Sequence, residues 1–255
     1  MWELYDELID GIPSDLMVLD AAAGYFWVGV QSELGVGVSA GARRFFHPFS
    51  DRGSMIGRPV REVAERVKSW NMVEASLGLA AINSYYNTPS AAKKSGVPLL
   101  SNSHKDDRMN DPYIFYQNAV KGKKVADVGP SHTLRVMMGG ICHLTVLGDT
   151  EPGGYPLDAC EYLLPEQDFV FLPCVSAATK QLPRLLELCR NAVVIICGPS
   201  IPLSPVLFGY GANDLAGFVV RHEEADAAMR IIRAAENRSL FSTGEKVSFK
   251  ATPAL

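Results

Sequence analysis

The stretch KVADVGPSH, which runs from Lys124 to His132, decides the fold of this chain. Its apolar first part predicts a strand that ends in a single glycine, Gly129, and a helix is predicted directly afterwards, as at the first turn of a nucleotide-binding α/β fold. That turn usually reads G-x-G-x-x-G, because bare backbone must approach a pyrophosphate. Here Pro130 removes one N–H donor, and Ser131 and His132 add side chains. The stretch therefore predicts the architecture without predicting the usual dinucleotide.

Apolar strands and helices alternate on the C-terminal side of this stretch. Strands are predicted at 125–128, 144–147, 169–172, 193–197, 217–220 and 246–250, and helices at 133–138, 157–163, 179–189, 204–208 and 224–235. Strands that are apolar along their whole length are typical of sheets buried on both faces. The alternation indicates an α/β fold class with a doubly wound parallel sheet.

The first half of the chain has a different pattern. A helix is predicted at 2–9, strands at 16–22, 25–31 and 35–39, and helices at 59–67 and 72–86. Short turns separate the strands, which favours an antiparallel β-β-β-α-α arrangement. A polar stretch leads into the lysine-rich residues 121–124, so we predict two domains, 1–118 and 119–255.

Composition excludes several classes of function. A net charge of −4 with scattered Lys and Arg argues against nucleic-acid binding, which needs clustered cations. No apolar run approaches the length of about 20 residues that crosses a bilayer. The five cysteines form no C-x-x-C and the N-terminus is acidic, as is typical of a reduced, soluble, cytoplasmic protein. A homodimer is expected only because dimers are the commonest oligomers.

Three loops are expected to meet at one edge of the predicted sheet, where ligands of such sheets bind. They are residues 129–132, 174–179 and 198–204. Hydroxyl side chains in these loops are predicted at helix starts, where backbone N–H groups bind anions: Ser131, Ser176, Thr179, Ser200 and Ser204. Ordinary helix capping is the simpler explanation of each hydroxyl alone, but three converging loops favour a small anionic ligand.

Asp149 follows the second predicted strand of this sheet, twenty residues after Gly129. An acidic residue at that distance binds the ribose hydroxyls in dinucleotide and related nucleoside sites. It supports an alternative function, an enzyme that uses an adenosine-containing cofactor such as S-adenosylmethionine or a nucleotide. A solvated aspartate at a strand end is the simpler explanation.

The densest polar run of the chain, 106–112, combines carboxylates with Arg108. Such a run suits a site for a polar ligand or a hard cation, and it equally suits a solvated linker. The five histidines show no pairing at helical spacing and no zinc motif is present, so neither metal ligands nor catalytic residues are assigned. The aromatic pairs 45–46 and 85–86 leave a third alternative open, a module that binds another protein.

Three stretches, residues 70–83, 107–112 and 198–208, resemble the heavy-metal chelation family of unknown function. The resemblance implies a small domain like the enolase N-terminal domain, followed by a Rossmann-like domain, with the site in the cleft between them. Carried onto this chain, it implies a site built from Glu74, Asn83, Arg108, Asn110, Asp111 and the loops Gly129–His132 and Gly198–Leu203.

These arguments together predict a protein that binds a small polar or anionic ligand in the interdomain cleft. A metal chelate or its organic part is the expected ligand, and no metal or cofactor is identified more closely. The loops of the second half are expected to contribute Gly129, Ser131, His132, Ser176, Thr179, Gly198, Ser200 and Leu203.

Overall fold

A three-stranded antiparallel sheet organises the N-terminal part of the chain in the computed structural model, which describes residues 2–41, 53–97, 110–129, 131–148, 153–237 and 239–251. Its strands are β1 (Val18–Ala23), β2 (Trp27–Ser32) and β3 (Gly35–Ala40), in that spatial order. The helices of this part are α1 (Glu3–Asp10), α2 (Val60–Ala64), α3 (Met72–Tyr86) and α4 (Pro89–Lys94), with a 3₁₀ helix at Glu65–Lys68. The predicted β-β-β-α-α arrangement is confirmed.

Helix α3 is the central helix of this part, and its sequence explains its position. Asn71 caps it by accepting hydrogen bonds from the N–H groups of Val73 at 2.9 Å and Glu74 at 3.2 Å. Small residues along α3 let β3 approach closely: a Cβ on Gly37 would lie 2.0 Å from the Ser84 nitrogen. Only glycine fits at that crossing, so α3 lies flush against the sheet.

A second sheet of six strands has the order β5-β4-β6-β7-β8-β9. Its elements are α5 (Pro112–Phe115), β4 (Lys124–Val128), α6 (His132–Met138), β5 (His143–Leu147), α7 (Cys160–Leu163), β6 (Phe169–Pro173), α8 (Val175–Ala178), α9 (Leu182–Leu188), β7 (Val193–Cys197), α10 (Val206–Gly209), β8 (Asp214–Val220), α11 (Ala225–Arg233) and β9 (Gly244–Lys250). Further 3₁₀ helices lie at Leu157–Ala159, Leu164–Glu166, His222–Glu224 and Ser239–Thr243. Strands β4 to β8 pair in parallel, as predicted, and β9 adds an antiparallel edge.

The two sheets are joined by shared packing. One face of the six-stranded sheet carries a cluster in which Leu134 and Met138 of α6 pack with Phe169 and Phe171 of β6. Helix α11 instead crosses to the three-stranded sheet, where Ile232 packs with residues of β1 to β3.

No helix within the described ranges is long and apolar enough to cross a membrane. The domain boundary at residue 118 stays a prediction.

The helix predicted at 179–189 begins later than its sequence suggests. Thr179 ends α8, and Lys180 adopts a left-handed conformation with φ of 64°, so α9 starts only at Leu182. Non-glycine residues rarely adopt positive φ, and no local pattern predicts one here. The chain therefore makes two short helices where one was expected.

Candidate functional site

A cavity of about 210 Å³ opens at the carboxyl end of β7, on the face of the six-stranded sheet that α5 covers. Its lining comes from the segments 110–113, 197–199 and 216–218, and from Phe241 and Lys246. Ligands of parallel sheets bind at the carboxyl ends of the strands. Three predicted site residues, Asn110, Asp111 and Gly198, meet in this cavity.

Asp111 is oriented by the start of α5. Its carboxylate accepts a hydrogen bond from the backbone N–H of Tyr113 at 2.9 Å, and Pro112 occupies a first-turn position where no N–H is needed. Asn110 is 7% exposed. One carboxylate oxygen of Asp111 is therefore committed to the backbone, while the neighbouring amide is held in the wall of the cavity.

Lys246 brings a positive charge to the rim of the cavity. It lies on β9, directly opposite Phe218 of β8, and its Nζ is 5.9 Å from the centroid of the Phe241 ring. Within the described part of the chain, no acidic side chain forms an ion pair with it. Lys246 and both phenylalanines were missed from sequence, because an antiparallel strand pair and a 3₁₀ helix bring them together from separate segments.

Cys197 and Tyr113 supply neutral polar groups to the cavity. Burial raises the pKa of the Cys197 thiol well above its ordinary value, and the nearby Asp214 carboxylate raises it further. Burial also raises the pKa of Tyr113, whose hydroxyl lies beside Cys197 and Ser131. Both groups stay protonated near neutral pH, so they offer hydrogen-bond donors rather than a thiolate or a phenolate.

Asp214 lies fully buried beneath this region, and sequence reasoning missed it. The Ser248 hydroxyl donates to its Oδ1 at 2.7 Å, and Lys250 Nζ lies 3.3 Å from its Oδ2. Burial raises the pKa of the Asp214 carboxyl, against the opposing effects of Ser248 and Lys250. The group belongs to the support of the cavity rather than to its lining.

Two amides, one inside α3 and one at its C-cap, hold the loop 198–204 that borders the cavity. Asn83 Nδ2 donates to the carbonyls of Val38 at 2.8 Å and Ser200 at 2.9 Å. Asn87, one helical turn later, accepts from the N–H of Leu203 at 2.8 Å and donates to the carbonyl of Ile201 at 2.9 Å. Asn83 therefore contacts the backbone of the loop and does not line the cavity. Asn87 was missed, although its spacing of four from Asn83 was visible in the sequence.

Ser200 and Leu203 are buried where this loop meets the first half of the chain. The Ser200 hydroxyl accepts a hydrogen bond from the N–H of Ala40 at 2.8 Å. Its expected position at a helix start is wrong, because the following helix, α10, begins only at Val206. The hydroxyl fastens β3 to the loop instead.

Glu74 is fully buried in the first turn of α3 and does not line the cavity. Its carboxylate forms an ion pair with Arg66 at 3.3 Å and accepts a hydrogen bond from Ser69 at 2.6 Å. These partners give Glu74 a structural function, and its predicted part in ligand binding stays a prediction.

The first loop of the six-stranded sheet lies where β4 separates β5 from β6. Gly129 has φ of 68° and donates its N–H to the Leu147 carbonyl at 2.8 Å. Ser131 caps α6, as predicted, by accepting from the N–H of Leu134 at 3.3 Å, and His132 begins that helix with an exposed side chain. Tyr113 links this loop to the cavity through its contact with Ser131.

Ser176 lies in the first turn of α8 without capping it, whereas Thr179 lies at the end of that helix, so the expectation of a helix start is wrong for Thr179. Ser176 lies inside α8 and donates to the Pro173 carbonyl at 2.7 Å. Thr179 ends α8 and donates to the Val175 carbonyl at 3.3 Å. A hydroxyl inside a short helix donates to a nearby backbone carbonyl. It therefore does not mark a helix N-terminus at which backbone N–H groups could bind an anion.

Several predicted residues lie outside the described part of the chain. Arg108 and Asp149 are among them, together with the aromatic pair 45–46. Asp149 carries the adenosine-cofactor alternative, and no observation on the described residues favours that alternative. Of the other aromatic pair, Tyr86 donates to the Leu8 carbonyl at 3.0 Å and packs against the core.

The described residues do not fit a bound metal ion by themselves. Among them, no three His, Cys, Asp or Glu side chains are placed to hold one. The cavity offers one protonated thiol, Cys197, and one carboxylate, Asp111, with an oxygen already hydrogen-bonded. A metal ion in proteins needs several such donors at once.

Two family models match the chain, each described as "Putative heavy-metal chelation". DUF4213 matches residues 5–86 and DUF364 matches residues 111–250. The chain belongs to the DUF364 family. A crystal structure of a DUF364 protein of unknown function from Desulfitobacterium hafniense is similar at 44% identity, with a TM-score of 0.89 over 98% of this chain and 99% of that one.

Two further proteins are similar to this DUF364 protein at lower identity. A DUF364 protein of unknown function from Pyrococcus horikoshii shares 17% identity and a TM-score of 0.80 over 97% of this chain and 98% of that one, which shows a common fold. An uncharacterised protein of Methanocaldococcus jannaschii is 27% identical over 206 residues, 75% of this chain and 71% of the relative.

Proposed function

We propose that this DUF364 protein binds a small anionic ligand in the cavity between α5 and the carboxyl end of β7. The observation that carries the proposal is the meeting of Asn110, Asp111 and Gly198 with the rim cation Lys246 in one cavity of about 210 Å³. The amide can orient a polar ligand, and the lysine can pair with its negative charge.

The charges around the cavity support an anion rather than a cation. Lys246 has no acidic partner within the described ranges, whereas the Asp111 carboxylate is already hydrogen-bonded to the backbone. Arg108, two positions before Asn110 in the sequence, is proposed as a second positive group for the ligand. A lysine beside an apolar wall gains most from an anionic group, because contact there is partly shielded from water.

The description of the family suggests how heavy metal relates to this cavity. Because the described residues form no metal site of their own, we propose that a metal arrives as a chelate, held through the anionic organic part of that chelate. Lys246 and Asn110 would bind this organic part. A cytoplasmic location and a homodimer stay predictions.

The proposal is tested by titrating the protein with inorganic phosphate and with acetate, followed by heteronuclear NMR. We expect saturable shifts at Asn110, Gly198 and Lys246, and an affinity about tenfold lower in Lys246→Gln. Lys123→Gln is the matched control, since this exposed lysine directly precedes β4, at the amino end of that strand rather than at the carboxyl end of β7. Equal affinity in Lys246→Gln and the wild type, or no saturable shift with any anion, would overturn the proposal.

A further inference from the structure

Aromatic rings form one wall of the cavity, and other rings hold them in place. The Phe218 and Phe241 rings meet edge-to-face, with centroids 5.5 Å apart at an interplanar angle of 76°. Phe241 also packs edge-to-face on Trp27 at 5.6 Å, and Tyr113 stacks on Phe171 at 5.7 Å. These ring contacts restrict the side chains to their observed rotamers. The wall therefore has fixed faces and edges against which another ring can pack.

The positive charge lies at the border of this aromatic wall. Lys246 is the cross-strand partner of Phe218, and its Nζ lies over the Phe241 ring. A ligand that contacts both rings therefore has the Lys246 ammonium group next to one of the ligand's own edges. This arrangement favours a ligand whose acidic group is attached directly to its apolar body, rather than through a long polar chain.

The volume of the cavity limits the size of that body. At about 210 Å³ it is smaller than the pockets of roughly 300–1,000 Å³ that enclose drug-sized ligands. A body of one or two rings fits such a space, whereas a nucleotide with its sugar and phosphates does not fit within it as a whole.

We infer that the ligand of this cavity is a planar, unsaturated ring that carries one acidic group, held between the Phe218–Phe241 wall and the Lys246 ammonium. The inference rests on the proposed function and makes its ligand class specific. Asn110, a buried residue that also lines the cavity, is the group that would hydrogen-bond a heteroatom of the ring. Either a carboxylate or a phosphate supplies the negative charge equally well.

Four probes of graded chemistry test the inference by NMR titration of the full chain. Benzoate has both the ring and the charge, benzamide lacks the charge, cyclohexanecarboxylate lacks planarity, and acetate lacks the ring. We expect benzoate to bind about tenfold more tightly than each of the others. Lys246→Gln should weaken benzoate but not benzamide, and Phe241→Leu should weaken benzoate but not acetate.

A matched variant separates the ring contact from a general loss of packing. Phe208→Leu removes a ring from another edge-to-face pair, Phe208 with Phe249 at 4.9 Å, which does not line the cavity. Benzoate affinity should be unchanged in this variant, while thermal unfolding reports any loss of stability in both phenylalanine variants.

The outcomes distinguish this inference from the proposed function. In one outcome, phosphate or acetate binds saturably, but benzoate binds no more tightly than cyclohexanecarboxylate or than benzamide. This outcome overturns the inference of a planar acidic ligand and leaves the proposed function standing. The inference of a planar acidic ligand is also overturned if phosphate binds and none of the four organic probes binds more tightly than phosphate does. Absence of saturable binding by every anion overturns both.

Discussion

At the scale of single residues, Gly198 is a position of the candidate site that leaves no room for a side chain. Its φ is +125°, and a Cβ built on it would lie 2.4 Å from the Cys174 sulfur. We expect Gly198→Ala to lower the free energy of unfolding by about 2–4 kcal/mol, because backbone strain and overpacking add together. Urea unfolding measures the loss.

The control for this substitution is Gly122→Ala. Gly122 also has positive φ, +68°, but no atom of the described residues lies within 4 Å of an added Cβ. That variant should lose only the strain component, about 1 kcal/mol. Equal losses in the two variants would show that the Cys174 contact costs nothing.

Lys180 gives a pH dependence that belongs to one side chain. Its ammonium donates to the Ser69 carbonyl and lies 5.3 Å from the Trp70 ring centroid, and burial lowers its pKa from 10.5 to about 8. Between those values the unfolded chain binds more protons than the folded one, so stability rises with pH. The wild type should gain stability relative to Lys180→Met as the pH rises from about 8 towards 10.5, with a constant difference below about 8.

Chemical unfolding of both proteins across that pH range measures the difference. Lys121→Met, at an exposed lysine, is the control for the general effect of replacing a lysine by methionine. If the difference between the wild type and Lys180→Met stays constant up to about pH 10, the half-buried ammonium is not disfavoured by its surroundings.

At the scale of elements, α3 positions the loop 198–204 through Asn83 and Asn87. Removing the Asn87 amide leaves the Leu203 N–H and the Ile201 carbonyl without their partners in a buried place. We expect Asn87→Ala to lower the free energy of unfolding by about 2–4 kcal/mol, because each buried unsatisfied group costs about 1–3 kcal/mol. Calorimetry measures the change, and Asn118→Ala, at an exposed turn, should lie within about 0.5 kcal/mol of the wild type.

The elements themselves were largely predictable from sequence, and the residues where they meet were less so. Helix α3 was predicted with its observed bounds, because the helical spacing of its apolar residues is a local signal. Lys180 delays the start of a predicted helix by adopting positive φ, which its residue type does not encode. The cavity was only partly predictable: Asn110, Asp111 and Gly198 stood out as polar or loop residues, whereas Lys246 on β9 depends on pairing with β8 across the chain.

At the scale of the whole molecule, the C-terminal part of the chain completes the packing of its N-terminal sheet. Helix α11 lies so close to β2 that a Cβ on Gly29 would be 2.5 Å from the Ile232 side chain. The Trp27 indole donates to the Asn237 carbonyl at 2.9 Å, and Arg233 pairs with Asp20 at 2.5 Å. With α3 on one face and α11 on the other, the three-stranded sheet depends on residues from both halves of the chain.

This dependence predicts a single cooperative unfolding transition. Ile232→Ala should lower the free energy of unfolding by about 2–5 kcal/mol, because it empties a fully buried position, and it should destabilise both sheets together. Tryptophan fluorescence and far-ultraviolet circular dichroism should therefore give coincident urea midpoints in the wild type and in the variant. Val136→Ala, at a position 70% exposed on α6, should change stability by less than about 0.5 kcal/mol. Separate midpoints, with Ile232→Ala moving only the fluorescence transition, would mean that the two sheets unfold independently and that α11 stabilises the first sheet alone.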